Sequence, residues 1–421
     1  MGFFQFHRNI KVRMIESFLS ITIGEMIFPF MAIYLTASFG IERVGLLLLL
    51  NVFIGMIINL LSGYLSDSYG RKKLLMYSEM FRFLAFFIMM LCNSPWFHSA
   101  IITFLMMIVN TICTALSGPT NQAMLIDVSK PEERKSIFSI MFWITNLSIA
   151  IGSIVGGIMF KHHLFELFVA LVITSLITFL LITFFIQESY IPNKKRKLST
   201  SHIQQILNNY HAVFKDKVFI WFVLAGVLVL SMEFHLGNYI GIRLASEFTE
   251  QHFMGWTFGG IELTGMLRTE NTILVVVLAL FGTRMLSTLK DRQILIYSWL
   301  IFIAGYSIIS YSNNLWLLLS AMFIATIAEV VRVPVEQNYL ASLPPENARS
   351  SYFAVSGMKN NLTQLICSIT VTVSAFMSNL ATTFFITVSG LCGVIIFIRI
   401  AKSLDERLVR KEGAEKLEAA N

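Results

Sequence analysis

Charge is the first scarcity in this chain of 421 residues: only 14% are Asp, Glu, Lys or Arg. A soluble domain carries about 25%. With 56% hydrophobic residues and a mean hydropathy of +0.70, the composition excludes a water-soluble globule and marks a multi-pass membrane chain. Cysteine is equally sparse. Cys92, Cys113, Cys367 and Cys392 fall in or at the ends of apolar runs. They have neither metal-ligand spacing nor a paired arrangement, so they read as small packing residues and no metal is expected. A phosphate-cradling glycine loop and a nucleophilic triad are also missing. An enzyme, or transport driven by ATP bound within this chain, therefore has no supporting residues, and no cofactor is expected. No cleavable leader is expected either, because the first apolar run is too long and has no small-residue cleavage site.

What is present is a series of apolar runs, at roughly 14–36, 44–66, 74–92, 99–126, 137–160, 164–187, 218–241, 271–289, 293–311, 315–340, 351–377 and 381–400. A helix of about 20 apolar residues crosses a hydrocarbon core, so these predict twelve spans. The net charge of +7 is distributed unevenly. With both termini cytoplasmic, most Lys and Arg fall on the inner side, including Arg71–Lys73, Lys130, Arg134, Lys135, Lys194–Lys197, Lys290 and Arg292. Only Arg43, Lys161, Arg243 and Arg268 fall outside. That bias obeys the positive-inside rule for an even number of spans, and it removes nucleic acid as a reason for the basic balance. The stretch Glu188–Lys217 separates six spans from six, and its Ile203–Val213 part could lie as an amphipathic helix on the membrane surface. The expected organisation is a six-helix half at 1–187, a central loop at 188–217, a second half at 218–403 and a charged tail at 404–421. The connection Ser246–Glu270 reads as a long loop.

The most specific signal lies between the second and third runs: Gly63, Leu65, Asp67, Gly70, Arg71, Lys72 and Lys73. A basic turn alone explains Arg71–Lys73, but not Asp67 or the two glycines. The pattern Gly-x-Leu-x-Asp-x-x-Gly-Arg-(Lys/Arg)-(Lys/Arg) resembles the loop between helices 2 and 3 of the major facilitator superfamily. The resemblance implies an all-α membrane protein, with twelve transmembrane helices in two pseudo-symmetric six-helix halves and substrate bound between them near the midplane. It further implies that Asp127 meets Arg71, while Asp67 caps a helix start near Ser350–Ser351. Gly63, Asp67, Gly70, Arg71 and Asp127 would then form a conformational gate.

Carboxylates within spans default to functional hypotheses. Glu25, four residues before Pro29, resembles the drug/proton antiporter branch of that superfamily, and proline loosens the surrounding hydrogen-bond ladder. In Glu329-Val-Val-Arg332-Val-Pro334-Val-Glu336, spacings of three and seven put Glu329, Arg332 and Glu336 on one helical face. The same stretch resembles the equivalent helix of multidrug/proton antiporters. There Arg332 is placed to neutralise Glu329 locally, and an internal ion pair is nearly as good a reading as a substrate site. Glu233 and His235 form a further candidate, His235 as a proton relay or as a hydrogen-bonded packing residue. Glu79 and Arg82, three apart, read as a self-satisfying pair. Ser148-x-x-x-Gly152-Ser153-x-x-Gly156-Gly157 is similar to the glycine-rich helix 5 motif of antiporters, with Ser153 in place of its proline. Small residues at that spacing let two helices approach closely, as at an outer gate.

The resemblance implies a proton-coupled secondary transporter in a bacterial cytoplasmic membrane, exporting lipophilic or cationic drugs by alternating access. The expected partners are a small lipophilic substrate, protons and membrane lipid, with the protein a monomer. The alternatives are an exporter or flippase of an endogenous lipid or metabolite and, in another class, a non-transporting membrane receptor.

Overall fold

The computed structural model describes residues 6–189, 213–253, 256–279, 290–343, 352 and 355–420. The basic run Lys194–Lys197, the candidate surface helix over 203–212, Arg284, Arg349 and the Ser350–Ser351 helix start lie outside the described residues. So do the surroundings of Gly63 and the side chain of Asp67.

Apolar sequence leaves the backbone no water to bond, so each long run closes its own hydrogen bonds as a helix. In chain order these are α1 (Arg8–Ile27), α2 (Met31–Phe39), α3 (Ile41–Tyr69), α4 (Arg71–Leu91), α5 (Ala100–Asp127), α6 (Pro131–Met159) and α7 (Leu164–Phe185). They continue with α8 (Lys217–Phe234), α9 (Tyr239–Glu247), α10 (Gly260–Ala279), α11 (Asp291–Tyr311), α12 (Leu315–Ser342), α13 (Lys359–Ser374) and α14 (Asn379–Ala420). Two short antiparallel hairpins interrupt them, β1 (Asn93–Ser94) with β2 (Phe97–His98) and β3 (Gln251–Phe253) with β4 (Trp256–Phe258). The protein is an all-α membrane protein. Among the described residues, ten helical segments are long and apolar enough to cross a membrane. They correspond to ten of the twelve runs in the sequence. The eighth and eleventh correspond to α10, which reaches position 279 where the described residues stop, and to α13, of 16 residues.

One expectation is corrected. Ser246–Glu270 is not a long loop: α10 begins at Gly260, behind the β3–β4 hairpin. Arg243 and Arg268, assigned above to outer loops, sit instead on α9 and α10, and Arg243 is buried. The physical reason is that charges paired on a helix face need no loop, as described below.

Contacts divide the chain into two compact units, Met1–Lys197 with Gly241–Ile273, and Leu198–Ile240 with Leu274–Asn421. In the first, α4 packs on α5 and α7, and α1 packs on α6 and α7. Gly70 turns the chain from α3 to α4 at φ +92°, a left-handed conformation that suits glycine. In the second unit α11 packs on α12, and α8 lies against α13 and α14. Its aromatic centre joins Trp299, Phe302, Tyr306, Tyr339 and Phe397, all essentially fully buried.

Asp216 ties the second unit together at the start of α8. It caps the helix by accepting from the Phe219 N–H, and it receives Arg407 of α14 through two hydrogen bonds of 2.7 and 2.9 Å. Tyr352 donates a third, of 3.0 Å. Burial pushes this carboxyl upward, but the hydrogen bonds from Arg407, Phe219 and Tyr352 outweigh it and hold it below the usual carboxylate range. A depressed carboxylate stabilises the fold above its unfolded value of about 3.9, and the stabilisation is lost as pH falls through the folded value. Asp216→Ala removes a cap of about 1 kcal/mol together with the Arg407 pair. It is expected to lower the apparent melting temperature by a few degrees at pH 7, and the difference should shrink below about pH 4. Thermal unfolding followed by tryptophan fluorescence across that range checks it.

Candidate functional site

Two spans are broken at matching places. The first runs as α1, a single 3-10 turn at Phe28–Phe30, then α2; the seventh runs as α8, a 3-10 turn at His235–Gly237, then α9. In each a glutamate stands four residues before the residue that breaks the ladder, giving Glu25-x-x-x-Pro29 and Glu233-x-x-x-Gly237. Proline removes a donor and clashes with the preceding turn; glycine lowers the penalty for leaving the helix. Broken helices at membrane depth persist only where protein or a cavity satisfies the freed groups. Interruptions at corresponding positions of two repeats are the best pointer to a transport site.

In the first unit, Arg268 of α10 donates from Nη2 to Oε2 of Glu25 at 2.5 Å, both side chains being about three-quarters buried. The glycines of α6 make this pairing possible. A Cβ at Gly152 would stand 2.5 Å from the Thr22 carbonyl oxygen and 2.6 Å from the Glu25 Cβ, so only glycine lets α6 lie against α1 at that level. Gly156 rests likewise on the Met26 carbonyl. Gly157 faces Gly265 of α10, where an added Cβ would lie 2.6 Å from the Ser153 carbonyl oxygen. Ser153, which stands where the antiporter motif has proline, accepts from Nε of Arg268 at 3.4 Å. The α6 signature thus forms the bed on which a carboxylate of α1 meets a guanidinium of α10.

In the second unit the network centres on Arg332 of α12. Its guanidinium donates to Oε1 of Glu336 at 2.8 Å and lies 3.6 Å from Glu233. The charge of Glu329 acts on it as well, and the Phe302 ring sits beneath it at 4.5 Å. Glu336 also accepts from the Trp299 indole at 2.8 Å and from Lys359 of α13 at 3.0 Å. Expected as a local partner of Glu329, Arg332 therefore serves a cluster drawn from α8 and α12. His235, within the break of the seventh span, is fully buried and its Nδ1 meets no hydrogen-bond partner. Asn238, just past the break, receives a hydrogen bond from Gln364 at 3.2 Å.

The helix 2–3 motif lies elsewhere in the first unit. Arg71 pairs with Asp127, and Glu188 accepts from the backbone N–H groups of Arg71 and Lys72 at 3.1 and 3.3 Å. That carboxylate satisfies donors left orphaned at the start of α4. Glu79 and Arg82 pair at 2.5 Å, with Thr178 and Ser117 completing their hydrogen bonds. Sequence reasoning missed Arg268, Glu188, Lys359 and Trp299 as members of these networks. Only the helical spacing of Gly265, Arg268, Thr269 and Thr272 hinted that Arg268 belongs to a packed face.

The sequence profile of the Major Facilitator Superfamily matches residues 14–260. The chain is 28% identical over 382 residues to a Na(+), Li(+), K(+)/H(+) antiporter of Planococcus maritimus, covering 88% of this chain and 90% of that protein. It is 24% identical over 330 residues to the multidrug resistance protein MdtH of Blochmanniella floridana, covering 77% of each. Among solved structures, a peptide transporter POT in complex with sulfate matches with a TM-score of 0.76 at 15% identity, covering 97% of this chain and 96% of that one. At that identity the likeness speaks to the fold.

Removing one partner of the pair strands the other's charge, whereas removing both does not. Arg268→Gln is therefore expected to lower the apparent melting temperature more than Glu25→Gln/Arg268→Gln. The coupling energy should be about 1–3 kcal/mol. A double-mutant cycle of thermal unfolding measures it, and a coupling indistinguishable from zero would show the contact to be incidental.

Proposed function

The chain belongs to the Major Facilitator Superfamily, and from that premise we propose that it is a proton-coupled antiporter. In this reading it extrudes lipophilic or cationic compounds by alternating access. One observation carries the reading: a glutamate one turn before a helix break, in each of two matching spans, with an arginine from another helix beside it. A carboxylate so placed can hold either a guanidinium or a proton. Protonation of Glu25 removes the attraction that binds Arg268, and protonation of Glu233 does the same toward Arg332. Each event frees a broken helix to change its packing. A cationic substrate competes with the arginine for the same carboxylate, so proton and substrate exclude each other. That exclusion is the requirement for exchange.

Arg71, Asp127, Asp67, Gly63 and Gly70 are the gate in this proposal. The Arg71–Asp127 pair and the Glu188 cap form the contact that a change of state must remake. The N-terminal half, central loop and C-terminal half divide at the positions given above. Both termini face the cytoplasm of a bacterial cell, and the transporter works as a monomer. Methionine and phenylalanine, 21 and 37 in number, suit an adaptable lining for varied apolar cations. The relative named as a Na(+), Li(+), K(+)/H(+) antiporter, matched over 90% of its length, favours a second reading in which the cation is an alkali metal ion.

Purified protein in liposomes with an imposed pH gradient tests both. The expected result is gradient-driven movement of a lipophilic cationic dye, falling to the level of protein-free liposomes in Glu25→Gln and in Glu233→Gln. Proton movement evoked by Na+ or K+ with no dye transport selects the second reading. Undiminished coupled transport in both variants would sink the assignment of these carboxylates.

A further inference from the structure

We infer that Glu270 on α10 is a proton-binding site that trades its proton for a monovalent cation. The inference rests on the antiport reading and gives it a third carboxylate, one that the ion pairs do not use.

Other membrane-depth carboxylates of the described residues come with a basic partner. Glu25 has Arg268, Glu79 has Arg82, Glu16 has Arg13, Glu233 has Arg332, Glu336 has both Arg332 and Lys359, and the charge of Glu329 acts on Arg332. Glu270 differs. It is partly buried, and its Oε2 is buried without a hydrogen-bond partner.

Its position on the helix explains why. Gly265, Arg268 and Thr269 turn toward α6 and α1, where they meet Gly157, Glu25 and the Ala150 carbonyl. Glu270 lies on a different stripe, with Met266, Ile273 and Val277 at spacings of four, three and seven, all of them exposed apolar residues. The charges on neighbouring elements are committed elsewhere. Arg268 is held by Glu25 of α1, and Arg243 of α9 lies 3.6 Å from Glu247. Lys161, which follows α6, is bonded to Glu250, and Glu262 accepts from the Gly259 N–H. The α6 face against α10 presents Ala150, Ser153 and Gly157, none of them charged.

An ionised carboxylate with a buried, unpartnered oxygen in apolar surroundings is unfavourable. Two ligands remove that penalty without an arginine: a proton, or a cation of one charge. A divalent ion is a poor fit, since a single carboxylate would leave it with an unbalanced buried positive charge, and no cluster of three potential metal ligands occurs among the described residues. A carboxylate paired with a guanidinium takes a proton only as that pair parts, and Glu270 has no pair to part. It therefore holds the proton until a cation replaces it.

A hydrophobic carbodiimide tests this on the wild-type protein, independently of transport. The protonated carboxyl adds its O–H across one C=N bond of the reagent. The resulting O-acylisourea rearranges to a stable N-acylurea, leaving the whole reagent on the residue with nothing oxidised or lost. Protein in liposomes at neutral pH is treated in choline chloride and, at equal concentration, in sodium chloride; the adduct on each peptide is quantified by mass spectrometry. The expected result is labelling of Glu270 several-fold above that of Glu25, reduced several-fold by Na+ and missing from that peptide in Glu270→Gln. An unlabelled Glu270, or one labelled equally in both salts, overturns the inference. Sodium-sensitive labelling in a protein that moves no solute would keep this site and remove the antiport reading. Unlabelled Glu270 in a working exchanger would do the reverse.

Discussion

The paired charges within these helices depend on one interaction, the contact of a guanidinium with a carboxylate where water is scarce. Coulombic attraction that is worth about 1 kcal/mol in water grows several-fold in a medium of lower effective dielectric, but so does the penalty for an unanswered charge. Each unit meets this constraint with an arginine. Arg268 binds a single carboxylate and leans on the Ser153 hydroxyl, while Arg332 binds several and stacks over Phe302. Arginine suits the task because its charge is permanent and its flat fork bonds in more than one direction. Lysine appears where one bond suffices, as from Lys359 to Glu336.

The sequence resolved the spans and the helix 2–3 motif because both are local signals, apolar length in one case and a fixed spacing in the other. It singled out Glu25, Glu233 and Arg332 as candidates because intramembrane charge is rare enough to stand out. It failed at α10 for a physical reason. Glu262, Arg268 and Glu270 crowd the first half of that helix, and a reading by apolar runs assigns such a stretch to a loop. In the fold Glu262 bonds the Gly259 N–H and Arg268 bonds Glu25, so two of the three charges vanish as obstacles to a helix. The partners of Arg332 were hidden for another reason. Helical spacing names neighbours on one helix, whereas Glu233 arrives from a segment about a hundred positions away.

Internal repetition becomes visible once the breaks are aligned. Beyond the paired glutamates, Leu74-Leu75-Met76-Tyr77-Ser78 corresponds to Ile294-Leu295-Ile296-Tyr297-Ser298. The next position diverges in an instructive way. Glu79 is a buried acceptor satisfied by Arg82, whereas its counterpart Trp299 is a buried donor that supplies Glu336. Each copy keeps a polar group at that depth while reversing the direction of the hydrogen bond. At this depth the first copy carries its buried charge on the third helix itself, whereas the second carries it on α12 and α13.

The seam along α6 has a consequence of another kind. At Gly152, Gly156 and Gly157 backbone approaches backbone, with only the Glu25 Cβ and the edge of the Phe30 ring beside the contact. Ordinary helix packing works like meshed gears, since ridges seated in grooves must disengage before either helix can shift. A seam stripped of ridges is closer to a plain bearing. It holds two shafts at close range while offering little resistance to sliding, and it tolerates no added grit. One would expect natural variation along this helix to be sharply uneven, with nearly frozen glycines set among freely drifting outward residues such as Ile154 and Ile158, both exposed.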